Sequence, residues 1–454
     1  MEKPKIAVIG SGPGGIASAV KAAELGAEVF LIEDEKLGGV CLNEGCIPTK
    51  TLLASAKRFL EVKEAENFGI NVSPPTINWL SILVRKENVV KELQEQLNAS
   101  LRQKRIKVIY GRAIFETPKR LLVKTKTGEN KLEVDKIIIS TGSLPLKLAG
   151  IENCGKAIIT PGEALNLKAL PKKLIIIGGG PTGVEFANLF SVLGVKVVLI
   201  EVLENILAAE DSRIGQTISQ ILKKQRVEIL TNTSFKQILS PGQNLAVVKL
   251  DAKKEFLAER VLVAVGRVPN TKNLGLEKIG LAVDTKGFIS VNEKMETNLE
   301  GIYAVGDVTG KMMLAHYASK SGQIAVENAM NSNLKINTLT IPRCIYTIPE
   351  TASVGLNKKE AESQNLEVKI GRAYFQANGL AQATGKTSGF FQLVVEMPSQ
   401  KILGCQIVGE GAVELVHPIA LAIKQRLKVK DLDDIIFAHP AFSEIIKEAA
   451  KNAK

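Results

Sequence analysis

The chain has 454 residues, room for about three or four ordinary domains, and 45% of them are hydrophobic, so substantial cores are expected. No apolar run of about 18 residues occurs and the first strand begins almost at once, which excludes a spanning helix or a leader from the reading and predicts a soluble, cytoplasmic protein. The net charge is +12, yet the lysines are scattered and aromatic residues make up only 4%, so neither a base-stacking nucleic-acid surface nor a membrane surface is expected.

The first element, Lys5 to Ile9, reads as a short buried strand. It runs into Gly10-Ser11-Gly12-Pro13-Gly14-Gly15, then an alanine-rich helix to Leu25 and a second strand, Glu28 to Ile32, that ends in Glu33. In a βαβ dinucleotide unit Gly10 permits the tight turn, Gly12 lets backbone approach a pyrophosphate, Gly15 allows close helix packing, and Glu33 reaches a ribose hydroxyl pair. Strand, helix and terminal acid together make this a far more specific signal than the glycines alone.

Next comes Gly38 to Lys50, GGVCLNEGCIPTK, with Cys41 and Cys46 separated by four residues. Thiol–disulfide exchange needs an attacking thiolate, a second sulfur close by and controlled access. On a regular helix residues five apart are displaced by about 7.5 Å, beyond the roughly 7 Å Cα limit of a disulfide, so the helix is expected to be distorted here. Gly45 and Pro48 fit such a distorted start, and a Cys46 near a helix N-terminus would have its thiolate favoured. Thr51 to Arg105 is mostly helical in pattern, interrupted by a loop at Asn71 to Asn78 that carries Pro74-Pro75.

The glycine fingerprint then recurs. Leu174 to Ile177 is a strand, Gly178-Gly179-Gly180-Pro181-Thr182-Gly183 the loop, and Lys196 to Ile200 a strand ending in Glu201. The spacing from Gly178 to Glu201 equals that from Gly10 to Glu33, so one dinucleotide per unit is expected. Glu201 favours a free 2′-hydroxyl, and the following Val202 to Ile206 has no arginine to hold a phosphate, which points to NAD rather than NADP. Cys154, Cys344 and Cys405 are isolated and read as small apolar side chains, and no Cys/His spacing resembles a metal site.

These motifs, with Ser140-Thr141-Gly142-Ser143, Val265 to Asn270, Gly301 to Asp307 and His439 to Glu444, make the chain resemble the flavin-dependent pyridine-nucleotide disulfide oxidoreductases from about Lys5 to Glu448. Within that family it looks most like the branch that oxidises dihydrolipoamide. Ile345 to Glu350 fits that branch. The basic residues that glutathione reductases place after the second strand are missing, and Ile445 to Lys454 lacks the extra C-terminal cysteine of mercuric and large thioredoxin reductases. Val40 and Ala441 stand where the family usually has threonine.

The resemblance implies an α/β fold with two Rossmann-like dinucleotide-binding domains and a C-terminal α+β dimerisation domain. Its expected limits are 1–148 for FAD, 149–268 for NAD, 269–337 for a central region completing the FAD site, and 338–454 for the interface. It implies Cys41 as the interchange thiol, Cys46 as the charge-transfer thiol, and His439 held by Glu444 as the base. Imidazole suits that task, because its ordinary pKa lies near neutrality and a carboxylate fixes its tautomer. Lys50, paired with Glu185, would stabilise negative charge near the flavin N5.

The implied FAD contacts are Gly10, Gly12, Gly14, Gly15, Glu33, Lys50, Ala113, Thr141, Gly142, Asp307 and Ala315. Those for NAD are Gly178, Gly180, Gly183, Glu201 and Gly266. The expected partners are a second copy of the chain and a lipoyl-bearing acyltransferase of a 2-oxo acid dehydrogenase complex, or a lipoyl carrier protein. An NAD(P)H-dependent reductase of another disulfide, such as glutathione or coenzyme A disulfide, and a non-catalytic flavoprotein scaffold are the alternative readings.

Overall fold

The computed structural model describes residues 3–148, 157–242, 245–250 and 254–454, so Cys154 lies outside the described residues. The chain divides into two compact units. One comprises Met1–Thr51, Ser81–Lys147 and Gly266–Ile336, the other Leu52–Leu80, Leu148–Val265 and Asn337–Lys454.

The first unit is built on a five-stranded parallel sheet in the order Ile302–Ala304, Lys136–Ile139, Lys5–Ile9, Glu28–Glu33, Lys107–Tyr110. Its central strands are near-continuous runs of Ile, Val and Leu because both faces are covered. The helices Pro13–Glu24 and Ala315–Ala329 pack together, so closely that a Cβ at Gly322 would stand 2.4 Å from the Gly14 carbonyl oxygen. An antiparallel ribbon joins Ser143–Pro145 to Arg267–Pro269, and a three-stranded antiparallel sheet begins with Arg112–Thr117. The segment after Gly266 therefore returns to the first nucleotide-binding unit, supplying a sheet strand, a helix and the ribbon.

The second unit holds another parallel sheet, Glu228–Leu230, Lys196–Ile200, Lys173–Ile177, Arg260–Val263, Ile158–Ile159. It also contains a five-stranded antiparallel sheet in the order Arg343–Ile345, Thr351–Gly355, Ile402–Val408, Phe390–Glu396, Val368–Tyr374. Helices Ala412–Lys424 and Glu444–Asn452 share a core with that sheet through Val416, Ile419, Ile445 and Ala449, packed with Phe391, Leu393 and Ile407. The fold is thus α/β, with two Rossmann-like sheets and a C-terminal α+β domain. The helical stretch Leu52–Leu80 groups with the second unit, although in sequence it continues the first. Among the described residues no helix is long and apolar enough to cross a membrane.

Candidate active site

The two glycine loops solve one steric problem in the same way. Gly10 has φ +96°, and a Cβ there would lie 2.4 Å from the Ser140 carbonyl oxygen. A Cβ at Gly15 would be 1.8 Å from the Gly10 oxygen, whereas one at Gly12 would meet nothing within 4 Å. In the second loop Gly178 has φ +107°, a Cβ at Gly183 would be 1.9 Å from the Gly178 oxygen, and Gly180 again faces open space. Both following helices, Pro13–Glu24 and Pro181–Val192, start with proline after a glycine that offers no side-chain cap. Their first backbone amides are left free of side-chain acceptors, an arrangement that receives an anion.

Each strand-end acid is tied to its own loop. Glu33 Oε2 accepts the Ser11 N–H at 2.9 Å and the Ser11 hydroxyl, and Oε1 accepts the Glu35 N–H. Glu201 Oε2 accepts the Gly179 N–H at 2.6 Å, and Oε1 the Leu203 N–H at 2.8 Å. Both carboxylates are oriented before any ribose arrives.

The cysteine segment leans on the first loop. Gly38 N–H donates to the Ser11 carbonyl at 3.1 Å, and a Cβ at Gly39 would stand 2.8 Å from the Gly12 Cα. The segment forms two helices, Gly39–Asn43 and Cys46–Lys63, broken at Glu44, whose φ is −140°. Cys46 is therefore the first residue of the second helix, and the break lets the thiols meet. Cys41 and Cys46 are free thiols hydrogen-bonded to each other. That bond, then burial, pushes the Cys41 pKa well above the ordinary thiol value, while Lys50 one turn along opposes the rise.

Thr141, in the loop after strand Lys136–Ile139, has a buried hydroxyl with no partner. Gly142 beside it has φ +71°. Asp307 accepts the Ser143 hydroxyl at 2.6 Å. Ala113 is buried in the strand Arg112–Thr117, and Ala315 opens the helix Ala315–Ala329. Gly266 has φ +122°, and its carbonyl accepts the Leu146 N–H.

In the second unit Glu185 is buried in the helix Pro181–Val192 and accepts the Tyr346 N–H at 2.8 Å. His439 Nδ1 lies 3.0 Å from Glu444 Oε1, and Glu444 Oε2 accepts the Ala441 N–H at 2.9 Å. Asn378 holds the same turn through the Ala441 carbonyl. The carboxylate at Nδ1 leaves Nε2 as the basic nitrogen, on a ring that is 77% exposed. Hydrogen bonding from His439, then from the Ala441 amide, holds Glu444 below its ordinary pKa. Ala441 serves through its backbone, so a hydroxyl at that position is not needed to seat the carboxylate.

Residues 4–322 match the pyridine nucleotide-disulphide oxidoreductase family, and residues 341–450 match its dimerisation domain. The chain belongs to this family. The dihydrolipoyl dehydrogenase of Chlamydia pneumoniae is 39% identical over 445 residues, covering 98% of this chain and 95% of that protein. A Bacillus subtilis protein of the same name is 37% identical over 448 residues, covering 98% and 97%. Among solved structures, LpdA from Mycobacterium tuberculosis superposes with a TM-score of 0.93 at 27% identity over 99% of each chain. The HOCl-induced flavoprotein disulfide reductase RclA from Escherichia coli, in its Cu(II) complex, gives 0.90 at 28% over 100% of each.

Members of this family use FAD and NAD(H). The residues present fit two dinucleotides: both glycine cradles face open space at Gly12 and Gly180, both helix N-termini are uncapped, and the orphaned Thr141 hydroxyl lacks an acceptor or donor that a bound group can supply. Two polar residues were not singled out from sequence. Ser11 bridges Glu33 to the cysteine segment, and Arg267 grips Ser143; each sat inside a glycine motif, and only the spatial partner of each reveals its part.

Proposed function

We propose that this chain is a dihydrolipoyl dehydrogenase, oxidising protein-bound dihydrolipoamide to lipoamide with NAD as acceptor. The observation that carries the reading is the Cys41–Cys46 pair, hydrogen-bonded at a helix start and seated against the first glycine loop. In this reading Gly10, Gly12, Gly14, Gly15, Glu33, Lys50, Ala113, Thr141, Gly142, Asp307 and Ala315 hold FAD, and Gly178, Gly180, Gly183, Glu201 and Gly266 hold NAD. Bound FAD would supply a two-electron relay between the dithiol and the nicotinamide.

The protein's own residues perform the thiol chemistry. His439, kept in one tautomer by Glu444, removes a proton from a dihydrolipoyl thiol. The resulting thiolate attacks Cys41 of the oxidised pair, forming a mixed disulfide and releasing Cys46 as thiolate. The second substrate sulfur, deprotonated in turn, attacks the substrate sulfur of that mixed disulfide, closes lipoamide and frees Cys41. The substrate has lost two electrons and two protons, and the enzyme holds a dithiol. Lys50, one helical turn beyond Cys46, offsets the negative charge accumulated next to that sulfur. The dimerisation domain supports a homodimer as the working unit, His439 of one protomer serving the cysteines of the other. The physiological donor is the lipoyl group of an acyltransferase in a 2-oxo acid dehydrogenase complex, or of a lipoyl carrier protein.

The test is NADH formation from NAD and dihydrolipoamide by the purified flavoprotein, run beside NADPH-driven reduction of glutathione and coenzyme A disulfides. Rapid NADH production with dihydrolipoamide alone supports the proposal. Activity confined to NADPH and another disulfide refutes both the substrate and the reading of Glu201, and no turnover with any pair leaves the scaffold reading.

A further inference from the structure

The segment that returns to the first unit brings in one guanidinium, and its contacts are more elaborate than a ribbon requires. Arg267 Nε donates to the Ser143 hydroxyl at 2.6 Å and Nη2 donates to the Ser143 carbonyl at 2.6 Å, a fork closed on a single residue. The same hydroxyl donates to Asp307 Oδ2 at 2.6 Å. Ser143 is buried, and Arg267 Nε stands 4.0 Å from that carboxylate oxygen, so serine mediates most of the contact. A hydroxyl held between a cation and a carboxylate has its proton committed to the carboxylate.

Arg267 is half-buried, and withdrawing its charge from water is costly unless negative charge compensates it. Ser143 links that charge to the Asp307 carboxylate. Cation, hydroxyl and carboxylate therefore form one unit, and removing one member frees the other two.

We propose that Arg267 is a positioning residue: through Ser143 it fixes the Asp307 carboxylate where the flavin side chain is to bind. This rests on the disulfide oxidoreductase reading of the site. The effect does not require Arg267 to touch substrate.

Four variants of the full-length protein test the bridge: Arg267→Met removes the charge and the fork, Arg267→Lys keeps a charge without the fork, Ser143→Ala breaks the bridge, and the fourth combines Arg267→Met with Ser143→Ala. The first readout is the dissociation constant of FAD, and the second is urea unfolding of the flavin-stripped proteins. Each single variant is expected to weaken FAD binding by about tenfold, and the double variant no further than Ser143→Ala alone, because the bridge acts as one unit.

Unchanged FAD affinity in Ser143→Ala overturns the proposal, and this variant remains informative if Arg267→Met fails to fold. Losses of FAD affinity that add in the double variant, or that follow a matching loss of stability in the flavin-stripped proteins, give these residues a merely structural role and overturn it as well. A parent protein that binds no flavin overturns the underlying reading, and this inference with it.

Discussion

Replacing Gly15 by alanine, beside the same change at Gly12, separates what the glycine loop does for folding from what it does for binding. A Cβ at Gly15 would stand 1.8 Å from the Gly10 carbonyl oxygen and 2.9 Å from its carbon. Both atoms are backbone, and the turn is anchored by the Gly10 N–H to the Ile32 carbonyl at 2.8 Å, so no side chain can swing aside. Helix and turn must separate by roughly 1.2 Å, and overpacking of this kind costs about 1–3 kcal/mol. Alanine's better helix propensity returns up to about 1 kcal/mol, leaving a net loss of about 1–2 kcal/mol.

At Gly12 a Cβ meets nothing within 4 Å and φ is −65°, so the fold should lose no more than its cap preference, about 1 kcal/mol or less. The new methyl would instead fill the space before the helix amides, where a pyrophosphate would lie. Urea unfolding of the flavin-stripped proteins and titration with FAD by fluorescence quenching measure the two effects. Both variants should bind FAD at least about tenfold more weakly, with the larger stability loss at Gly15. A Gly15→Ala protein as stable and as tight for FAD as the parent would refute the steric reasoning, and tight binding by Gly12→Ala would refute the placement of the pyrophosphate.

Glu444→Gln should lower dihydrolipoamide turnover by about a hundredfold while flavin content stays unchanged, because an amide no longer favours the charged base. A variant with parental turnover refutes the assignment. Glu201→Ala should narrow the preference for NAD over NADP by at least about tenfold in kcat/KM, since it removes the ribose acceptor that repels a 2′-phosphate; an unchanged ratio counts against Glu201. Burial raises the Glu350 pKa above its ordinary 4.5, outweighing the Val413 amide that accepts no proton but donates to the carboxylate. The folded state therefore holds that proton to higher pH than the unfolded chain, and stability is lost as pH rises through the window above 4.5. Glu350→Gln should match the parent below the window and exceed it above, in urea unfolding at stepped pH; a pH-independent difference refutes the sign.

Local spacing carried much of this protein into view. The two glycine loops, their strand-end acids and the CxxxxC segment are short-range patterns, because a turn, a strand end and a helix start are decided by sterics and backbone hydrogen bonding among residues close in sequence. The need for a break between Cys41 and Cys46 followed from helix rise alone, and the break stands at Glu44. The grouping of Leu52–Leu80 with the second unit was not legible in this way, and a return of 269–337 to the first nucleotide site was expected only from the resemblance. Tyr303, Val305, Ile324 and Ala325 of Gly266–Ile336 are buried with Ile6, Val8 and Leu31, a burial of surfaces that meet only after the chain has returned, and Leu52–Leu80 is tied to the second unit by Lys57 on Glu410 and Trp79 on the Leu167 carbonyl.

The same is true of polar partners. The pairing of His439 with Glu444, five residues on, was implied by the resemblance, whereas Ser11 between Glu33 and Gly38, and Arg267 on Ser143 and Asp307, join residues far apart in the chain. The sequence by itself determined which chemical groups are available and the local shapes of the loops that hold them. Only the tertiary structure decided which of those groups share a hydrogen bond or a buried charge, since the partners are chosen by packing distance rather than by position along the chain.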